Sequence, residues 1–375
     1  MTKKLTIVAT APTSGARARR RSASVCRRST AISLVAVAGL LLAACSQGSP
    51  KTSLPVTAAP TFASSKTTPP KPDVPVTWPL TGVVTAKLVE RPALAIKIEN
   101  PREGRPQTGL EAADMVWEEV VEGGVTRYVA VFHSTIPGEV GPLRSVRPMD
   151  PAITAPLKCL VVFSGGEAPF VNAVRAAGLQ VLSQDTGSAG FFRTNSRPAP
   201  HNLNGTPSTF LNQADASHKA SPPPQFTFAR SAALATAAVL GTPAHALSIT
   251  MSGYSHPSWT WSAADSAWLR SEASAPAMSA AGARLSAQNV LIMRVNVVNT
   301  QYIDPAGTHV PQTVMIGSGE GLLATGGKTI KVTWSKASDD APVKLKASGV
   351  DAVLLAPGKT WIQLVPIGTG SFTVS

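Results

Sequence analysis

The sequence predicts two folded parts, one that mixes strands with helices and a second that is rich in β-strands. Residues 80–221 alternate runs rich in valine and aromatic residues with capped or alanine-rich segments, while residues 222–375 are mostly strand-like. Strands interleaved with helical patterns indicate a part that mixes strands and helices, whereas a series of strands alone indicates a β-rich part. The proline run at residues 221–225 marks a break in composition. We therefore place a domain boundary between residues 221 and 222.

Each element follows from a local pattern. Thr108 and Glu111 have the spacing of a capping box, so we expect a short helix ending near Asp114. A two-residue Gly123-Gly124 turn should join two neighbouring strands as a hairpin. The other predicted elements are strands at residues 93–99, 115–121, 126–134, 160–163, 247–251, 290–295, 329–334 and 361–365, a helix at 168–177, and a second glycine hairpin at 326–327.

The N-terminus carries an export signal. Six arginines within residues 17–28 precede an apolar run at residues 31–42, which is shorter than the roughly 20 residues that a membrane span needs. The run closes on Leu42-Ala43-Ala44-Cys45, which resembles the bacterial lipobox. This resemblance implies a signal peptide of residues 1–44, cleavage before Cys45 and lipid on its thiol. Arg27-Arg28 could be a twin-arginine signal, but residues 29–31 fit it poorly, so we favour general export.

Composition limits the choice of partners. The net charge of +13 is inflated by eight basic residues in the signal, which leaves 26 basic against 21 acidic residues afterwards. Such a mild and dispersed excess does not indicate nucleic-acid binding. Residues 46–79 hold eight prolines, six threonines and five serines, so residues 45–79 should be a disordered linker or a glycosylated stalk. Cys159 has no partner cysteine and should be a buried core residue.

The predicted hairpin has a geometric consequence. With a two-residue turn, Val120 pairs with Arg127, so Arg127 lies diagonal to Glu118 and Glu122 on one face. This could be a polar site with one carboxylate of raised pKa, or a cross-strand ion pair that fixes the register. A longer loop would change the pairing and dissolve the cluster.

Two loops add donors for a negatively charged ligand. Arg144 and Arg147 stand near Pro142 and Pro148, where guanidinium groups can hold a phosphate or carboxylate bidentately, although a solvated basic loop fits too. His201 follows Pro200 in a donor-rich segment and could be an acid, a base or a structural histidine. No second histidine or cysteine has metal-ligand spacing. The candidate ligand-binding residues are Arg105, Glu118, Glu122, Arg127, Arg144, Arg147, Arg193, Arg197, His201 and Asn202.

Several ordered motifs are similar to those of the YerB-type lipoprotein family. They are residues 105–110, 113–114, 121–127, 141–148 and 199–203, with 333–336 and 357–362 near the C-terminus. The resemblance covers nearly the whole chain after the linker. It implies a bacterial lipoprotein with an N-terminal α/β domain, which we expect to hold a mixed sheet, and a β-rich C-terminal domain. It brings no established reaction.

The leading functional hypothesis is a non-catalytic lipoprotein, anchored in the cell membrane through Cys45 on the extracytoplasmic face, that binds an anionic or polar cell-envelope ligand. A second hypothesis is a cell-wall-modifying hydrolase or transferase that uses Glu118 or Glu122 with His201. A third is a scaffold for another envelope protein. None of the three calls for a cofactor or metal, and the sequence fixes neither the ligand nor the oligomeric state.

Overall fold

The computed structural model describes residues 74–304 and 306–375. The predicted signal peptide, the lipidated Cys45 and the linker up to residue 73 lie outside this range. The predicted linker ran on to Pro79, but residues 74–79 already belong to the described fold, since Thr77 forms an antiparallel bridge with Val84. Strands occur in both halves of the described chain.

The elements of residues 80–221 match most of the predicted positions. The predicted strand at 160–163 and the helix at 168–177 are found within one residue. The elements are β1 (Leu94–Glu99), β2 (Met115–Val120), β3 (Thr126–Phe132), α1 (Asp150–Thr154), β4 (Leu160–Phe163), α2 (Ala168–Ala176), β5 (Gln180–Ser183), β6 (Phe191–Arg193), β7 (Leu203–Gly205) and α3 (Pro207–Leu211).

The second part is mostly strands, as predicted. Its elements are β8 (Thr227–Phe228), α4 (Thr236–Leu240), β9 (Thr242–Pro243), β10 (Ala246–Thr250), β11 (Pro257–Ser262), β12 (Ala267–Glu272), β13 (Ala275–Pro276), β14 (Ser286–Ala287), β15 (Asn289–Ile303), β16 (His309–Val314), β17 (Gly317–Thr325), β18 (Lys328–Lys336), β19 (Lys344–Lys346), β20 (Leu354–Leu355), β21 (Thr360–Pro366) and β22 (Ser371–Val374). The Gly326-Gly327 turn joins β17 to β18 as an antiparallel hairpin, as expected.

One large mixed sheet runs through both sequence halves. Its central order is β19-β18-β17-β15-β21-β2-β3-β1-β4-β5, with β16 on β15 and β9 on β18. The join is the parallel pair β2–β21, where Val116 lies opposite Trp361. Every residue of β2 and of β21 is buried, which is the pattern of strands covered on both faces. The predicted mixed sheet is present and the two-part layout fits, but strands dominate and the helices are short, so the fold is sheet-rich rather than clearly α/β.

Each face of the large sheet carries its own core. On one face, Phe170 and Val174 of α2 pack with Ile153 of α1 against the sheet. On the other face lies a second sheet of order β13-β12-β11-β10-β22, with β14 on β12, which contributes Trp259 and Trp268. Cys159 is fully buried with a free thiol, as predicted. Burial raises the pKa of this thiol to about 12.

The predicted capped helix after residue 108 was wrong. The short helix after residue 108 is a 3-10 turn, Leu110–Ala112, whose N-cap is Gly109, and no side chain caps it. Gly109 has a φ of 73° and its α-carbon lies against the carbonyl of Glu139, so a residue with a side chain would clash there. The close approach of this backbone, rather than a capping box, decides where the turn begins.

Candidate functional site

The β2–β3 hairpin has a three-residue turn, not the two-residue turn that was predicted. Val121 pairs with Val125 through the backbone, and residues 122–124 form the turn. Arg127 therefore lies opposite Glu119, and Glu118 lies opposite Tyr128. A shift of one residue moves side chains to the other face of a sheet. The predicted cluster of Glu118, Glu122 and Arg127 on one face is consequently wrong for Glu118.

On the face packed against α1, the strand ends carry buried charges in register. Glu99 of β1 lies opposite Arg127 of β3, which lies opposite Glu119 of β2. Lys97, two residues before Glu99, is 2% exposed and contacts both Glu119 and Asp150. Burial raises the pKa of Glu119 to about 7, with Asp150 adding to the rise and Lys97 opposing it.

The side chain of Glu122, in the turn, binds Arg147 of the loop that follows β3 and lies near Arg127. Its carboxylate accepts a hydrogen bond of 2.8 Å from Nη2 of Arg147, and Nη2 of Arg127 lies 3.9 Å away. Arg127 also donates to the carbonyl of Ser145 at 2.9 Å. Burial, with the charges of Arg147 and Arg144, lowers the pKa of Arg127 to about 9. Arg127 and Arg147 are thus held in an internal ion-pair network.

Glu99 joins His201 to Arg144. Nδ1 of His201 lies 3.0 Å from both carboxylate oxygens, and Nε of Arg144 lies 3.3 Å from Oε2. Burial raises the pKa of Glu99, while the charges of Arg144 and His201 oppose the rise. The backbone of Gly104 rests directly on the Glu99 side chain, where a side chain at residue 104 would clash. The structure thus brings Arg127, Arg144, Arg147 and His201 into one charged network, although His201 pairs with Glu99 instead of Glu118 or Glu122.

The opposite face holds a second charged group around Arg270, which has no exposed surface. Its Nη2 lies 2.9 Å from Oε2 of Glu118 and 2.7 Å from Oε1 of Glu272. Its guanidinium carbon lies 4.7 Å from the ring centre of Trp361, so a cation–π contact adds to the ion pairs. Burial would lower the pKa of Arg270, but the two carboxylates raise it above the usual value. Burial raises the pKa of Glu118.

A cleft of about 950 Å³ lies beyond this second group. One wall is the segment of residues 100–107, and the other is formed by residues 272–278 with Tyr254. Arg105 spans the two walls, since it binds the carbonyl of Asn100 at 2.7 Å and Oε2 of Glu272 at 3.1 Å. Arg102 also lines the cleft and makes no ion pair with any described residue. A chain of alternating charges therefore runs from the cleft through Glu272 to the buried Arg270.

Of the remaining predicted residues, Arg197 contacts this wall. Arg197 donates to the carbonyls of Gly104 and Pro106, at 3.2 and 2.6 Å, and so fixes the segment of residues 100–107 from outside. Arg193 and Asn202 bind each other at 2.8 Å at the surface. Whether any of these residues contacts a ligand stays a prediction.

Sequence reasoning missed several charged residues of both groups. Lys97 sits inside an apolar strand, and Arg270 stands two residues after Trp268 in another, so a charge within a strand pattern was the available signal. Asp150 and Glu272 lie at element ends, where a carboxylate is unremarkable. Within residues 74–304 and 306–375, no cluster of His, Cys, Asp and Glu is arranged to hold a metal ion. In the same range, no helix is long and apolar enough to cross a membrane.

Comparisons with known proteins locate the chain among its relatives. Residues 80–220 match the sequence profile described as protein of unknown function (DUF3048), N-terminal domain, and residues 247–362 match the corresponding C-terminal domain. The chain is 32% identical over 126 residues to the putative lipoprotein YerB of Bacillus subtilis, an alignment that covers 33% of this chain and 38% of that protein. The crystal structure of YerB from Bacillus subtilis is similar in fold, with a TM-score of 0.67 and 23% identity, over 80% of this chain and 99% of that one.

Proposed function

Because the chain belongs to the DUF3048 family, whose members are described as proteins of unknown function, we propose a function from its own residues. The protein is a lipoprotein of the extracytoplasmic face of the cell membrane that binds a polar or anionic cell-envelope ligand without catalysis. Residues 100–107 and 272–278 form the binding cleft. The observation that supports this proposal most directly is the cleft, whose walls carry charged side chains, one of which, Glu272, is paired with the buried Arg270.

The anchor part of the proposal rests on the sequence before Cys45 and on the likeness to a putative lipoprotein. Cys45→Ser should abolish labelling with palmitate and should release the protein from membranes washed with high salt, which weakens non-covalent contacts between basic residues and lipid. Membrane fractions of the bacterium, with a wild-type copy alongside, provide the measurement. A variant that stays in the membrane and still takes up the label would overturn the lipid anchor.

The chemistry of the cleft favours a ligand that carries both charged and apolar groups. The charged lining residues of the cleft are Arg102, Glu103, Arg105 and Glu272, and its apolar lining residues include Pro106, Val125, Ala275 and Pro276. Arg105 is already paired with Glu272, so Arg102 is the cation left for a ligand anion. Wall phosphates and the carboxylates of peptidoglycan stems both offer such an anion.

The acid–base candidates favour binding over catalysis. A general base must reach a substrate proton at hydrogen-bond distance. Glu118 has no exposed surface and is bound to Arg270, while Glu122 is bound to Arg147. Both carboxylates are thereby committed to internal ion pairs. This occupation argues against the hydrolase hypothesis in the form that uses either residue.

The experiment is co-sedimentation of the purified mature chain with isolated cell walls, before and after acid extraction of phosphate-bearing polymers. Arg102→Glu should weaken binding about tenfold, which corresponds to roughly 1.4 kcal/mol. Ala275→Trp, which fills the cleft, should weaken it as well. The matched control is Arg175→Glu, an exposed reversal on α2 outside the cleft. Equal binding by all three variants, or failure of the wild-type chain to sediment with either wall preparation, would refute the cleft proposal.

A further inference from the structure

The described chain begins in an unusually apolar surface segment. Between residues 74 and 89 five valines are exposed, and we call them the valine patch: Val74 at 80%, Val76 at 49%, Val83 at 42%, Val84 at 60% and Val89 at 46%. Single exposed apolar residues are ordinary, but clustered ones mark interaction surfaces. The patch therefore calls for a partner.

The valine patch is a fixed structure and not a loose end. The amide of Trp78 donates to the carbonyl of Val83 at 2.9 Å, and the amide of Thr85 donates to that of Val76 at 2.9 Å. Leu80, at the turn, is 1% exposed and packs into the core, while the Trp78 ring stacks edge-on against His133 at 5.2 Å. The five valines stay exposed around this fixed turn, and Val74 and Val84 line a common groove.

A groove of about 690 Å³ lies beside the patch. Val74, Trp78 and Val84 form one side, and residues 224–230, with Phe228, form the other. Gly82 also lines the groove and lies so near Phe228 that a side chain could not fit there. Most of the lining residues are apolar, and Arg230 is the basic residue among them.

Basic side chains accompany the apolar surface. Lys87 is exposed between Val84 and Val89, and the guanidinium of Arg91 lies 5.7 Å from the ring centre of Trp78. Arg230 on the facing side of the groove is a third cation, and we call Lys87, Arg91 and Arg230 the basic rim. Lys87 and Arg230 are exposed, whereas Arg91 is half-buried and donates to the carbonyls of His133 and Ser134; the exposed carboxylate of this segment is Glu90. Apolar side chains flanked by cations are suited to the interface of a membrane with anionic head groups.

We propose that the valine patch rests on the outer face of the cell membrane and orients the folded part against the lipid. The occupant follows from position: the patch is the first described segment after the stretch that begins at Cys45, so it is the part of the fold nearest to the lipid along the chain. This inference rests on the proposed lipid anchor for its location. It adds a second, non-covalent contact that tilts the binding cleft to a fixed direction.

A lipid on Cys45 attaches the chain to the bilayer at one residue and does not by itself orient the folded part. A folded apolar patch with a basic rim adds a contact with the lipid interface that favours one orientation. Replacing two of its valines by aspartate puts charges into the lipid interface and should weaken vesicle binding by more than tenfold.

The test uses the mature chain with Cys45→Ser, purified without lipid, and vesicles made of equal parts phosphatidylglycerol and phosphatidylcholine. The variant is Val76→Asp with Val84→Asp. The matched control is Val298→Asp with Val314→Asp, two valines of the β15–β16 hairpin that are 48% and 36% exposed. Co-sedimentation measures binding, and thermal melting confirms that each variant is folded.

The expected result is that the parent chain binds, the control binds equally and the patch variant loses more than tenfold. Binding should also fall on pure phosphatidylcholine vesicles, because the basic rim then lacks anionic partners. The proposal is overturned if the parent chain does not bind, if the control loses as much as the patch variant, or if sedimentation equilibrium shows a dimer that the patch variant dissociates. Failure here leaves fractionation of the single Cys45→Ser variant and wall binding unchanged, so the two proposals fail separately.

Discussion

Arg270→Met tests whether the buried ion pair on the cleft side of the sheet is a structural support. The substitution keeps an unbranched side chain of similar length among Tyr128, Trp259 and Trp361 but removes the charge. Glu118, which has no exposed surface, then loses the partner at 2.9 Å. Removing one partner of a buried pair costs about 3–5 kcal/mol, because the other charge stays buried without compensation. For a chain of this size the melting temperature should fall by on the order of 10 °C.

The stability that Arg270→Met loses should depend on pH in a definite direction. Burial already raises the pKa of Glu118, and Arg270 opposes the rise, so the pKa rises further in the variant. A carboxyl whose pKa is higher in the folded state than in the unfolded state stabilises the fold at low pH, and this contribution is lost as pH increases. The variant should therefore be closer to the wild type at pH 5 than at pH 8.

Urea unfolding at both pH values, followed by circular dichroism, provides the assay. Glu118→Gln in the Arg270→Met background should recover part of the stability, since it removes the stranded charge. Arg175→Met on the exposed face of α2 is the control and should stay within about 0.5 kcal/mol of the wild type. If Arg270→Met falls inside the same margin, or if its loss is equal at pH 5 and pH 8, the ion-pair reasoning is refuted.

Three further predictions concern the other buried groups. Burial and Asp150 raise the pKa of Glu119 to about 7, so the wild type should lose stability as pH rises from 5 to 8. Glu119→Gln should flatten this pH dependence. If the urea midpoints of the two proteins change identically with pH, the prediction is contradicted. Arg147→Ala leaves the buried Glu122 without this partner and should lower the free energy of unfolding by about 3 kcal/mol. The Arg144 side chain is 26% exposed and its removal leaves His201 on Glu99, so Arg144→Ala should lower it by about 1 kcal/mol. Thermal melts that rank the two variants in the opposite order would show that Arg147 is not a structural residue. The thiol of Cys159, whose pKa burial raises to about 12, should not react with a maleimide at pH 8 until urea unfolds the chain; rapid labelling of the native protein would show that the thiol is accessible.

The sequence by itself determined most of the strands, because period and composition are local properties. Residues 160–163 read as an apolar run bounded by turn residues, and β4 occupies that run. The strict alternation at residues 329–334 predicted a strand with Ile330, Val332 and Trp334 inward and the rest outward. Val332 and Trp334 are buried in β18, whereas Ile330 is half-buried and Thr329, expected outward, is buried. The arginine-rich motifs also signalled a charged cluster before any contact was known.

The hairpin at residue 123 shows where local reasoning stopped. A two-residue and a three-residue turn differ by one position in the pairing, and the glycines permit either. The turn that forms sends Glu118 toward Arg270 and Glu119 toward Lys97. No pattern within the hairpin could have indicated Arg270, which follows Glu118 by 152 residues.

Tertiary structure alone decided that the two sequence halves share one sheet. β21 is buried on both faces and its sequence is mostly apolar, so the sequence indicates that the strand has neighbours but not which ones. Its parallel pairing with β2 and with β15 joins the halves and brings residues 272–278 to the segment of residues 100–107. Backbone hydrogen bonds are the same for every residue type and therefore do not select which strands pair. The packing of side chains in the two hydrophobic cores selects them. The cleft is a product of that choice.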